Sequence, residues 1–507
     1  MASFEEFFSS SWGALSGIPL GRPVMGKPMN SMEVRLPLSS MNKHGLIAGS
    51  TGTGKSRALQ LIAESLAEQG VSVFLSDVKG DVSGFFKPGS KARAASRAAD
   101  LGVAFAPKRY RTNLWSLSSC FSPMRLCISD LSPVLVARLL SLNSTQESHL
   151  SMLFIFAKEK GLRHDDFSDI MGIAQYLKDN PREASGISSQ SMDVIIRKIA
   201  VMVDGGIDDL FGQPSIGLSD IMEPGAVNVL NLSDVRSRPE LLGITLTFLL
   251  YKMFSELPDI GDTAKPKMVI FIDEAHYLFE GANPSLIELV VTMLRQIRSK
   301  GVGVFFVTQN AEDLGEKVLS LLGCKIQFAM RAFTEGEQKD LRAMAQGYPK
   351  SAFYDLQEEV KSLPVGTAFV SVLDMKGGLL PPVKTSFFPP KSFMDVPSDA
   401  EFSAAANKKL RAKYLQKIKA DGNPAEGLAN AHLGEISAGG RNSWEVRQQM
   451  LRMQEKANPP FFISFPRAIG SMAKNSTAAL AMVLIIVLLI FLMFIAGLFA
   501  FGFVKIG

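Results

Sequence analysis

The chain has 507 residues, of which 47% are hydrophobic and 20% charged, the balance of a globular protein with a sizeable core and room for more than one domain. A net charge of +5 is too small by itself to argue for nucleic acid, anionic lipid or an acidic partner. Cys120, Cys127 and Cys324 form no CxxC pair and have no matching histidine spacing, which excludes a disulfide framework and a zinc site and suits a reducing compartment.

The opening MASFEEFFSSSWGAL carries acids where a secretory signal needs bases, so the catalytic part is expected in the cytoplasm. Residues 1–40 read as a short cap, with turn-rich SGIPLGRPVMGKPMN followed by the alternating strand MEVRLPL. From His44 the pattern becomes βαβ: HGLIAG, a helix from Lys55, then VSVFLSD. Later strands are expected at Val227 to Leu232, Lys267 to Asp273, Val302 to Thr308, Lys325 to Met330 and Thr367 to Leu373, most of them buried on both faces. Between about 130 and 210 the strand signal gives way to amphipathic patterns such as LSPVLVARLLSL and SMDVIIRKIAVMV, an inserted helical lobe. The reading is an α/β core over 41–388 with a mostly parallel sheet, then a basic helix and tether over 389–474.

Residues 475–504 hold no charge and include AALAMVLIIVLLIFLMFIAGLFAFGFV. About 20 apolar residues cross a bilayer, so a C-terminal transmembrane helix is expected. Arg467 and Lys474 before it, against Lys505 after it, orient the bulk of the chain to the cytoplasmic face of a membrane.

Gly49, Ser50, Thr51, Gly52, Thr53, Gly54, Lys55 and Ser56 spell GSTGTGKS, a Walker A loop between an apolar strand and an amphipathic helix. Its backbone N–H groups are suited to cradle the phosphates of ATP, with Lys55 on the β- and γ-phosphates and Ser56 on Mg²⁺. MVIFIDEAH places Asp273 and Glu274 at a strand end, the first to hold Mg²⁺ and the second to act as general base. His276 after them is as readily a packing residue. Gln309, or Thr308 before it, ends VGVFFVTQN where a γ-phosphate sensor belongs. Arg295, Arg298 and Lys300, with Arg331 as a further candidate, offer cations that could serve a neighbouring subunit or simply be solvated. Asp77, Lys79 and Asp81 in SDVKGD end the second strand beside the loop, either supporting the phosphate site, contacting substrate or facing solvent. Lys408, Lys409, Arg411, Lys413, Lys417 and Lys419 form an acid-free cluster suited to DNA phosphate, lipid headgroups or water.

In order, IPLGRPV, GSTGTGKS, SDVKGD, FGQP, FIDEAHYLF, IRSKGVGVFFVTQN and MRAFT resemble the HerA/FtsK superfamily, and within it the YjgR-type HerA-like ATPases. The likeness runs from about residue 18 to 388. It implies a RecA-like P-loop NTPase core and a homo-hexameric motor that couples ATP hydrolysis to movement of double-stranded DNA. It further implies Arg298 as the arginine finger and Gln309 as the sensor. The N-terminal part is too short for the β-barrel of HerA proteins, so docking to a nuclease does not transfer and any protein partner is unidentified. A protein-translocating motor and a nucleotide-regulated membrane scaffold are the competing readings; Glu274 argues against the scaffold.

Overall fold

The computed structural model describes residues 3–415 apart from 118–120, 185, 206, 208–209, 234–237, 280–282 and 375–376. Its strands are β1 (Ile18–Met25), β2 (Lys27–Pro28), β3 (Val34–Leu36), β4 (Gly45–Ala48), β5 (Ser72–Asp77), β6 (Thr112–Ser116), β7 (Ser122–Pro123), β8 (Val227–Asn231), β9 (Met268–Ile272), β10 (Val302–Thr308), β11 (Cys324–Gln327), β12 (Thr367–Val372) and β13 (Val383–Phe387). Among the described residues these make one 13-stranded sheet in the order β2-β1-β13-β12-β11-β4-β10-β9-β5-β8-β6-β7, with β3 also on β1. From β11 to β7 every neighbour is parallel. From β11 through β12 and β13 to β1, β2 and β3 every neighbour is antiparallel.

The parallel half is driven by apolar runs. GLIA, MVIFI and VGVFFVT are buried at every position, as expected of strands covered on both faces. Because β4 lies between β10 and β11, and β5 between β9 and β8, the loops after β4, β5, β9 and β10 open on one edge of the sheet. That edge carries the site.

The first 40 residues are joined to this sheet rather than set apart from it. β1 pairs with β13, and the helix Phe4–Ser11, started by a Ser3 and Glu6 capping box, sets Phe4 edge-on to Phe353 and Tyr354. Between β7 and β8 run the helices Pro133–Leu139, Ser144–Glu159, Phe167–Asp179 and Ser189–Asp204. Ser132, Asn143, Asp166 and Ser188 each cap one of them with a side-chain oxygen.

The chain after β13 packs back on the core. Lys391 and Ser392 donate their N–H groups to the buried Glu64 carboxylate at 2.7 and 2.8 Å, and Gln60 Nε2 donates to Ser392 Oγ and to the Phe393 carbonyl at 2.6 and 2.9 Å. Phe402 meets Phe86 and Phe121, and the fully buried Tyr414 on the helix Lys408–Leu415 stands edge-on to Trp115 beside β7.

The expected single-pass anchor, and the localisation at a membrane's cytoplasmic face that rested on it, are corrected. Among the described residues no helix is long and apolar enough to cross a bilayer. The 18-residue helix Pro239–Glu256 carries Lys252, which ion-pairs with Asp130 and Glu256 at 2.8 and 2.7 Å and so belongs to the folded core. Residues 475–504, which carried the expectation, lie outside the described residues, as do Lys417 and Lys419.

Candidate active site

β4 ends at Ala48, and the loop 49–54 turns the chain into the helix Lys55–Glu68. At two of its glycines a side chain would also have no room. Gly49 has φ +145° and an added Cβ would fall 2.6 Å from Phe328 Cβ; Gly54 has φ +118° and would meet the Gly366 backbone at 3.0 Å. The loop is pinned from both sides: Ser50 N–H donates to the Ala329 carbonyl at 2.8 Å, Arg331 N–H to Ser50 Oγ at 3.1 Å, and Gly366 N–H to the Thr53 carbonyl at 2.8 Å. Arg97, on an alanine-rich helix, holds the Gly366 carbonyl at 2.6 Å and the Phe387 carbonyl at 2.8 Å, which fixes the second clamp. Lys55 Nζ donates to the Gly49 and Ser50 carbonyls at 2.5 and 3.0 Å, and burial lowers its pKa. Its ammonium therefore stands inside the loop.

Parallel pairing of β5 with β9 brings Asp77 and Asp273 to the same edge, beside the loop. The Asp77 carboxylate accepts from Gly80 N–H, Val82 N–H and the Ser83 hydroxyl at 2.7, 3.1 and 2.5 Å, which folds the loop after β5 around it. Burial pushes Asp77 up to about 6 despite these bonds. Burial, reinforced by the Asp77 and Glu274 carboxylates, pushes Asp273 up to about 8. Oxygens of Asp77, Asp81 and Asp273 all lie within 4.8 Å of one another, and Asp81 Oδ1 is buried with no hydrogen bond. Three converging carboxylates, one with an orphaned oxygen, fit a hard divalent cation that takes oxygen ligands.

Glu274 follows in the left-handed region, φ +49°, with its side chain 8% exposed. Its Oε1 forms an ion pair with Lys79, while Oε2 has no hydrogen bond and lies 3.5 Å from His276 Nδ1. His276 packs on Tyr277, ring centroids 4.1 Å apart.

The other candidates divide between the two edges of the sheet. Gln309 accepts from the Thr51 hydroxyl at 3.1 Å and so joins the phosphate loop, whereas Thr308 spends its hydroxyl on the Asn310 carbonyl. Arg331 adjoins the loop through its backbone, with its side chain exposed. Arg298 ends the helix Pro284–Ile297 before β10 begins, at the opposite edge from Lys55 in the same chain. With Lys43, Arg295 and Lys325 it lines a cleft of about 640 Å³ with no carboxylate among the described lining residues. Arg298 is exposed and only loosely paired, 3.8 Å from Asp262; Lys300 is buried and bonded to the Leu257 carbonyl. In the 408–415 stretch, Lys413 pairs with Asp220 at 2.7 Å, while Lys408 and Lys409 are exposed.

Two positions that the motifs do not announce support the site. Arg97 has no local signal at all. His44, at φ +55°, is buried at the foot of β4: its Nδ1 accepts Val304 N–H at 3.0 Å, so Nε2 carries the proton and donates to the Leu294 carbonyl at 2.7 Å. Only its place before the Walker strand could have drawn notice.

The family model for the helicase HerA-like C-terminal region matches residues 23–456. The chain belongs to this family. The DNA import protein CedB of Sulfolobus acidocaldarius is 26% identical over 289 residues, 54% of this chain and 42% of CedB. The DNA double-strand break repair helicase HerA of Saccharolobus solfataricus is 23% identical over 359 residues, 67% of this chain and 64% of HerA. This HerA-like chain thus spans 42% and 64% of the lengths of these two relatives. Among solved structures, plasmid coupling protein TrwB with the ATP analogue ADPNP superposes with TM-score 0.53 at 14% identity, over 79% of this chain and 95% of that one. TrwB with ADP and Mg²⁺ gives 0.51 at 14% identity, over 77% and 99%. These likenesses show the fold.

Proposed function

We propose that this HerA-like chain is an ATPase, a RecA-like motor that works as a homo-hexamer on double-stranded DNA. The observation that carries the reading is the convergence at one sheet edge of the phosphate loop, Asp273, Glu274 and Gln309. DNA is favoured as the polymer because both curated relatives are named for acting on it, one importing DNA and one repairing its breaks.

In this reading Gly49 to Ser56 bind the phosphates of ATP, and Lys55 exchanges its two loop carbonyls for phosphate oxygens. Ser56 and Asp273, with Asp77 and Asp81 beside Asp273, would hold Mg²⁺, which when bound neutralises phosphate charge. Glu274 takes the proton of the attacking water, and Gln309 orients that water against the γ-phosphate. Arg298, remote from its own loop, serves the site of the adjacent subunit.

The test is ATP hydrolysis by the full chain with and without double-stranded DNA, at low and high salt. Turnover should rise with DNA, the rise should fade as salt increases, and Lys55→Ala and Glu274→Gln should each cut turnover at least about a hundredfold. Strong hydrolysis indifferent to DNA would move the reading to a motor for protein. Unchanged turnover in Glu274→Gln would sink the assignment of the base.

A further inference from the structure

The turn that closes around Asp77 also sends Lys79 across to the end of β9, where its ammonium pairs with Glu274 Oε1. Glu274 is nearly inaccessible at 8%, while Lys79 is 42% exposed, so the contact reaches inward from a surface loop. The Glu274 backbone adopts a left-handed conformation that a glutamate takes only at a cost, and such strain persists where surroundings over-determine it. Its second oxygen, Oε2, is buried without a hydrogen bond. One oxygen is therefore fixed and the other keeps its acceptor capacity.

We infer that Lys79 is a positioning residue for Glu274, holding Oε1 so that Oε2 is the atom that accepts the proton of the attacking water. The inference rests on the ATPase reading above. In the step, the water oxygen bonds to the γ-phosphorus, the bond from that phosphorus to the β-bridging oxygen breaks, its electron pair leaves with ADP, and the water proton passes to Oε2. Lys79 neither gains nor loses a proton. An ammonium so placed could instead touch the nucleotide, and the two roles separate in kinetics: positioning acts on kcat, ligand contact on KM.

The experiment compares full-length wild type, Lys79→Ala, Lys79→Arg, Glu274→Gln and Lys79→Ala/Glu274→Gln by steady-state hydrolysis and by binding of a fluorescent ATP analogue. Lys79→Ala should lower kcat roughly ten- to a hundredfold, with KM and analogue affinity within about threefold of wild type. Lys79→Arg, which keeps the cation, should recover most of kcat, and Lys79→Ala should add nothing once Glu274 is already Gln. An unchanged kcat in Lys79→Ala overturns the inference. So does a loss confined to KM and affinity, which would place Lys79 on the nucleotide, and so does an additive double variant. A wild-type chain that binds the analogue yet does not hydrolyse ATP, or a Glu274→Gln chain as active as wild type, would overturn the ATPase reading and this inference with it.

Discussion

His44 ties the foot of β4 to β10 and to the helix Pro284–Ile297 through one imidazole. Burial pushes its pKa down to about 4 from the ordinary 6.5, so in the folded chain it stays neutral through most of the range in which the unfolded chain takes up a proton. Between those values the unfolded state binds more protons, and stability therefore rises with pH and is lost as pH falls. The loss at pH 4 should be roughly 3 kcal/mol, at about 1.4 kcal/mol per unit of pKa. His44→Asn, which tolerates a positive φ and does not titrate, should be less stable than wild type at pH 7 but show a shallower decline of Tm between pH 6.5 and 4. Parallel declines would show that His44 is not the group responsible. The phosphate loop and the Asp273 and Glu274 pair were legible because their chemistry demands particular residues in consecutive order. His44, Arg97 and the Lys79 contact were not, since each acquires meaning only from a partner tens to hundreds of positions away.

The helix Lys55–Glu68 works at both ends. Its first residues belong to the phosphate loop, while its last turns present Glu64 to Lys391 and Ser392. Glu64→Ala leaves the buried Ser392 N–H and the part-buried Lys391 N–H without an acceptor and should cost about 2–4 kcal/mol, read as a lower urea midpoint at unchanged m. A midpoint within error of wild type would mean that the 391–393 strap is not part of the cooperative unit. Tyr414→Ala, at the far end of the same returning segment, empties a fully buried site against Trp115 and should cost about 3–5 kcal/mol by the same measurement. These contacts explain why, apart from its basic helix, the polar stretch after Pro390 read only as a tether: its anchors are single residues facing distant helices. Strands followed the same logic. β4, β5, β8, β9, β10, β11 and β12 were readable as apolar runs, whereas TNLWS of β6 and VKTSF of β13 mix polar residues into short segments that only their neighbours in the sheet identify as strands.

For the whole molecule, the distance between Arg298 and its own phosphate loop makes a prediction about assembly. If the finger acts across an interface, Arg298→Ala and Glu274→Gln should each be inactive alone, the former by about a thousandfold, yet a mixture should regain part of the turnover. A Glu274→Gln subunit still lends its arginine to an Arg298→Ala neighbour, whose own base is intact. A mixture as inactive as its parts would remove the trans role. The same sheet bears on how copies meet. At one margin lie β2 and β3, two and three residues long, the first ending in Pro28 and the second followed by Pro37; at the other lies β7, ending in Pro123 and roofed by the helix Lys408–Leu415. Among the described residues, neither margin offers a long row of open amide groups on which another chain could extend the ladder. Copies of this protein are therefore steered away from edge-on fibres and toward contacts through loops and helix faces, the kind of contact that a closed ring with a catalytic residue lent across each boundary demands.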